Sequence, residues 1–213
     1  MFTRLVLFIG LLSVFATAQR AVADGVTTVL FIGDSLTEGY GVRKEDAYPE
    51  LVVKYLGPKN QQKNQQKKRS LRIVNGGISA SVSADADRRL RWFLKQKPDI
   101  LVLALGANDA LKGTPAMVIK KNLAAVIDLA NENKVRVLLC GIKVFSNLGE
   151  DYNRSIDRMY SDLAREKKVA FYPFLLEGVA LDKNLNQADG KHPNAKGHDV
   201  IARRVARELE KLL

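Results

Sequence analysis

The chain has 213 residues, with 34 lysines and arginines against 23 acids, a formal net charge of +11, and 46% hydrophobic and 27% charged residues. That length suits one domain with a sizeable core, and the composition excludes a disordered, collagen-like or membrane-embedded chain. The basic balance admits anionic partners, but no zinc-finger or RNA-binding motif accompanies it, so a nucleic-acid partner is not expected.

Residues 1–23 have the layout of a secretory signal peptide. Arg4 gives a positive end, Leu5 to Ala16 is almost wholly apolar, and Ala21-Val22-Ala23 is an A-x-A-like cleavage site. A membrane span needs about 20 apolar residues, and Arg20 interrupts the run too early. Ala16-Thr17-Ala18 is a second possible cut. Cleavage after residue 23 removes Arg4 and Arg20 and no acid, which lowers the charge from +11 to +9. Residues 24–213 then form a single exported domain.

Short apolar runs alternate with longer amphipathic ones along that domain. Strands are expected at Thr28 to Ile32, Arg72 to Asn75, Ile100 to Leu105, Val135 to Cys140 and Val169 to Tyr172. Helical spacing covers Tyr48 to Leu56, Ala84 to Lys95, Pro115 to Asn133, Tyr152 to Lys167 and Asn194 to Leu213. The alternation predicts an α/β, flavodoxin-like three-layer α/β/α sandwich around a five-stranded parallel sheet. Residues 58–70 interrupt it with a Gln-rich stretch that has five positive charges and nothing apolar before Ser70. Such a stretch is a solvated loop insertion or a tether for an anionic envelope surface. The single Cys140 lies in a strand and reads as a packed thiol.

Ligands in such folds bind outside the carboxyl ends of the strands, and the residues there are polar. They are Gly33-Asp34-Ser35-Leu36, Asn75-Gly76-Gly77-Ile78-Ser79-Ala80, Gly106-Ala107-Asn108-Asp109 and, before the last helix, Asp189-Gly190-Lys191-His192-Pro193. A serine hydroxyl needs a base, and that base needs a third group to hold its tautomer. Of the two histidines, His192 sits in a loop three residues after Asp189, whereas His198 lies inside the last helix and suits a surface or packing role. Ser35, His192 and Asp189 are therefore the candidate nucleophile, base and orienting acid. Oxyanion donors are available from the Ser35 N–H, an N–H in the loop after the second strand and the Asn108 amide. Asp34 suits the orientation of its own loop. Asp109 is read as a helix cap and Trp92 as a core-facing helix residue.

These four blocks, in this order, resemble those of the SGNH (GDSL) hydrolases, nearest to the periplasmic acyl-CoA thioesterase and lysophospholipase branch and its arylesterase relatives. The resemblance spans roughly Val29 to Leu213. It implies a periplasmic enzyme, without metal or cofactor, that hydrolyses acyl ester or thioester bonds through an acyl-enzyme on Ser35. The family's second block ends in a glycine that offers its N–H to the oxyanion, and that position is Ala80 here. Val144 to Gly149 resembles the branch's substrate loop, which with Leu36 and Tyr40 makes Phe145 and Leu148 candidate acyl contacts. The expected partner is an acyl ester, thioester or lipid substrate, met by a monomer. Two other readings stay open: a carbohydrate or peptidoglycan O-acetyl esterase, and a secreted binding module with the basic loop as its contact surface.

Overall fold

In the computed structural model the described residues are 25–56, 70–144 and 148–213. The signal-like segment, Gly57, residues 58–69 of the basic insertion and Phe145 lie outside them. Five strands form one parallel sheet: β1 (Val26–Gly33), β2 (Ser70–Gly77), β3 (Ile100–Ala104), β4 (Arg136–Cys140) and β5 (Ala170–Tyr172), in the order β2-β1-β3-β4-β5. That is the flavodoxin-like order, with its switch point beside β1. The expected fold class is borne out.

The central strands are buried on both faces, which is why β1 and β3 read as continuous apolar runs without alternation. Helices α2 (Tyr48–Leu56) and α7 (Ala195–Glu210) pack against each other on one face of the sheet. Helix α5 (Ala116–Glu132) packs between α3 (Ala86–Phe93) and α6 (Glu150–Lys167) on the other. Each buries one stripe: Ile119, Leu123, Val126, Ile127 and Ala130 on α5, and Ile201, Val205 and Leu209 on α7. The start of α7 is fixed by Asn194, whose side chain accepts from the N–H groups of Lys196 and Gly197. Among the described residues no helix is long and apolar enough to cross a membrane.

Three details differ from the sequence reading. Two short helices, α1 (Ser35–Glu38) and α4 (Ala107–Leu111), stand where loops were expected, directly after β1 and β3. The expected helix over Ala84 to Lys95 is α3 flanked by 3₁₀ turns at Ser83–Asp85 and Leu94–Gln96. Trp92 does not face the core. It is 60% exposed, because the buried stripe of α3 runs through Ala86, Arg89 and Leu90, and position 92 lies about 200° around the helix from position 90.

Candidate active site

The site forms where β1 ends. Asp34 caps α1 by accepting from the Leu36 N–H at 3.0 Å, and it turns the chain so that Ser35 opens the helix. At that first position an amide N–H has no intrahelical acceptor and faces outward. Helix α1 lies across the end of β2 so closely that a Cβ on Gly77 would meet the Glu38 backbone nitrogen at 2.1 Å, and only glycine fits there.

The loop before α7 carries His192 to this edge. Ser35 Oγ is 3.0 Å from His192 Nε2, and His192 Nδ1 is 2.6 Å from Asp189 Oδ2. The other carboxylate oxygen of Asp189 accepts the backbone N–H groups of Lys191 and His192 at 2.9 and 3.0 Å. These bonds, with the His192 ring, hold the Asp189 carboxyl well below the usual carboxylate range. An ionised Asp189 therefore fixes Nδ1 as the protonated nitrogen and leaves the Nε2 lone pair toward Ser35. The three residues expected to act together are brought together.

The residues expected to supply oxyanion donors are arranged as follows. Ala80 lies in the left-handed region at φ 61°, a conformation that favours glycine and costs alanine strain. The loop is held from two sides. On one, Glu38 accepts from the backbone N–H and the hydroxyl of Ser79. On the other, Asn108 Nδ2 donates to the Ser81 carbonyl at 2.9 Å, which leaves its second amide hydrogen free to be a donor. Buried Asp109 accepts from Ser83 N and Oγ at 2.8 and 2.7 Å. It therefore caps the turn at Ser83–Asp85, across the site, rather than its own helix. Ala80→Gly is expected to keep kcat within about threefold and to raise stability by under about 1 kcal/mol, because the relieved strain is partly offset by glycine's unfolded-state entropy. Parallel ester kinetics and thermal melts check this.

The candidate acyl contacts separate by burial. Leu36 is 7% exposed and sits in the core cluster, whereas Tyr40 and Leu148 are exposed. The Tyr40 ring centroid is 4.8 Å from that of His192. His198 is buried, and its Nδ1 accepts the Tyr48 N–H at 3.3 Å, which settles a packing role. Buried Cys140 has its thiol pushed up by burial, which suits an inert core residue. Among the described residues no three His, Cys, Asp or Glu side chains gather as a metal site.

Several residues here escape sequence reasoning. Arg89, on the buried face of α3, donates through Nη2 to the carbonyls of Gly33 and Gly76 and so seals the ends of β1 and β2. Glu38 and Gln187 reach their partners across 41 and 147 residues, and no local signal marks such contacts.

Sheet order, nucleophile turn and the histidine–carboxylate loop together define a hydrolase of the SGNH type. The model of the GDSL-like Lipase/Acylhydrolase family matches residues 31–200, and the chain belongs to that family. It is similar to "Esterase TesA" of Pseudomonas aeruginosa, 32% identical over 211 residues, covering 99% of this chain and 100% of that one. It is also similar to "Thioesterase 1/protease 1/lysophospholipase L1" of Escherichia coli K12, 33% identical over 201 residues, covering 94% and 90%. A crystal structure of TesA superposes with a TM-score of 0.78 at 32% identity, covering 88% of this chain and all of that one.

Proposed function

We propose that this chain is an exported serine esterase that hydrolyses acyl esters and thioesters through an acyl-enzyme. The observation that carries the reading is the continuous relay from Ser35 Oγ through the His192 ring to Asp189, with contacts of 3.0 and 2.6 Å. Ser35 Oγ attacks the carbonyl carbon while His192 Nε2 takes its proton. The charge that develops on the carbonyl oxygen is met by the N–H groups of Ser35 and Ala80 and the Asn108 amide. The imidazolium returns the proton to the departing alcohol or thiol. Water, deprotonated by the same nitrogen, then attacks the acyl-enzyme, and the acid leaves with Ser35 restored.

Tyr40, whose ring lies against His192, and exposed Leu148 are assigned to an acyl chain, together with Phe145. The layout of residues 1–23 supports export to the periplasm, and the basic charge supports contact of the monomer with anionic envelope material. The test is hydrolysis of p-nitrophenyl esters from acetate to palmitate by protein beginning at residue 24, beside Ser35→Ala. A serine-dependent rate that peaks at medium or long chains is expected. A rate confined to acetate transfers the protein to the O-acetyl esterases, and no serine-dependent rate removes the reading.

A further inference from the structure

The relay needs Ser35 and His192 at hydrogen-bond distance, yet Ser35, in the short helix and turn after β1, and His192, in the loop before α7, lie 157 residues apart in the chain. The base loop is closed on itself by the Asn186–Pro193 bridge and by the Asn194 side chain, which donates to the carbonyls of Asn184 and Asn186. None of those bonds fixes its distance from the nucleophile loop. Gln187 does. Its Nε2 donates to the Tyr40 carbonyl at 2.7 Å and to the Pro193 carbonyl at 3.0 Å, while its backbone N–H donates to the His192 carbonyl at 2.8 Å. Two carbonyl acceptors fix which end of the amide is the donor.

The opposite end of the amide is equally constrained. A Cβ on Gly41 would meet Gln187 Oε1 at 2.1 Å, and Gly41 is left-handed at φ 75°. The chain after Tyr40 is thus seated flush on the glutamine amide. Tyr40 leans its ring on His192, so the residue gripped by Gln187 is itself a wall of the base. Apart from the Ser35–His192 contact, among the described residues this is the side-chain hydrogen bond that joins these two loops.

We propose that Gln187 is a positioning residue of the hydrolytic reaction, a strut that sets the distance between nucleophile and base. The inference rests on the Ser35–His192 reading. It concerns the transition state more than substrate binding, because displacing the base harms proton transfer while leaving the acyl contact of Leu148, outside the gripped segment, in place.

Gln187→Leu removes the donor. Gln187→Glu keeps the outline and replaces the amide by a carboxylate that repels both carbonyls. For each, kcat on p-nitrophenyl butyrate is expected to fall by about 10- to 100-fold, the cost of a sub-ångström to 1 Å misplacement, with KM within about twofold. Gly41→Ala pushes on the same amide, so its effect on kcat is expected to be smaller in the Gln187→Leu background than in the wild type; backbone strain at position 41 is common to both and cancels. A kcat within about twofold of wild type for Gln187→Leu, or additive effects in the cycle, overturns the strut. Ser35→Ala, assayed alongside, separates the two levels. Full activity there overturns the triad and the strut together, whereas a dead Ser35→Ala with an unaffected Gln187→Leu overturns the strut alone.

Discussion

Ser35→Ala, His192→Ala and the double variant are expected to lower kcat for p-nitrophenyl esters by one common factor of roughly 10⁵ or more, rather than by two factors that multiply. The two side chains share one proton transfer across 3.0 Å. Without the imidazole the hydroxyl is a poor nucleophile, and without the hydroxyl the imidazole has nothing to activate. Asp189→Asn should cost about 10⁴, the magnitude known for this change in Ser-His-Asp enzymes, and the geometry supplies the reason. The carboxylate oxygen that accepts the Lys191 and His192 N–H groups must remain an acceptor, so an asparagine places its NH₂ against His192 Nδ1. Nδ1 then becomes the acceptor, Nε2 carries the proton, and the base points the wrong way at Ser35. Single and double variants measured on one ester decide the matter. Multiplicative losses would mean that Ser35 and His192 do not work as a unit.

The parts of the molecule legible in the sequence are those written in local spacing. The apolar runs of β1 and β3 mark central strands because both faces are covered, and the stripe on α5 marks its inward side. The four polar blocks could be assigned to one edge because each follows its own strand. Short helices α1 and α4, of 4 and 5 residues, span about one turn each and cannot display a 3.6-residue period. A large apolar side chain weighs toward the core, which is why Trp92 reads as core-facing, although the apolar pair Ala86 and Leu90, four residues apart, already marks the buried face of α3 and leaves position 92 off it. Arg89 illustrates the converse. A charged residue is buried because strand-end carbonyls of Gly33 and Gly76 converge on it, which only the assembled sheet reveals. The Ala80 departure from glycine is visible in the sequence, but whether the backbone keeps the left-handed turn is a matter of the Glu38, Asn108 and Asp109 anchors around it.

Between pH 4 and 6.5 the wild-type protein should show a nearly flat contribution to stability from two buried groups that oppose each other, and single substitutions should expose each slope. Burial lowers His198 from an ordinary 6.5 to about 4, against the weaker pull of Asp46 and with that of His192. In this window the unfolded chain holds the proton and the folded chain does not, so this contribution grows as pH rises from 4 to 6.5. Burial raises Asp34 from 3.8 to about 6, against its backbone hydrogen bonds and the charges of His192 and Arg89. Here the folded chain holds the proton, so this contribution is full below 3.8 and is lost as pH climbs through 6. At 1.36 kcal/mol per pH unit, each amounts to roughly 3 kcal/mol, with opposite sign. Asp34→Asn keeps an oxygen for the Leu36 cap, and its unfolding free energy should rise by about 3 kcal/mol from pH 4 to 6.5. His198→Gln keeps an acceptor for the Tyr48 N–H, and its unfolding free energy should fall by a similar amount over the same range. Asp189 and Asp199, both held below the ordinary carboxylate value, give stability that is lost mainly as pH falls below this window, and equally in all three proteins. Urea unfolding at four pH values reads the slopes, and three parallel curves would mean that neither buried group titrates differently in the folded chain.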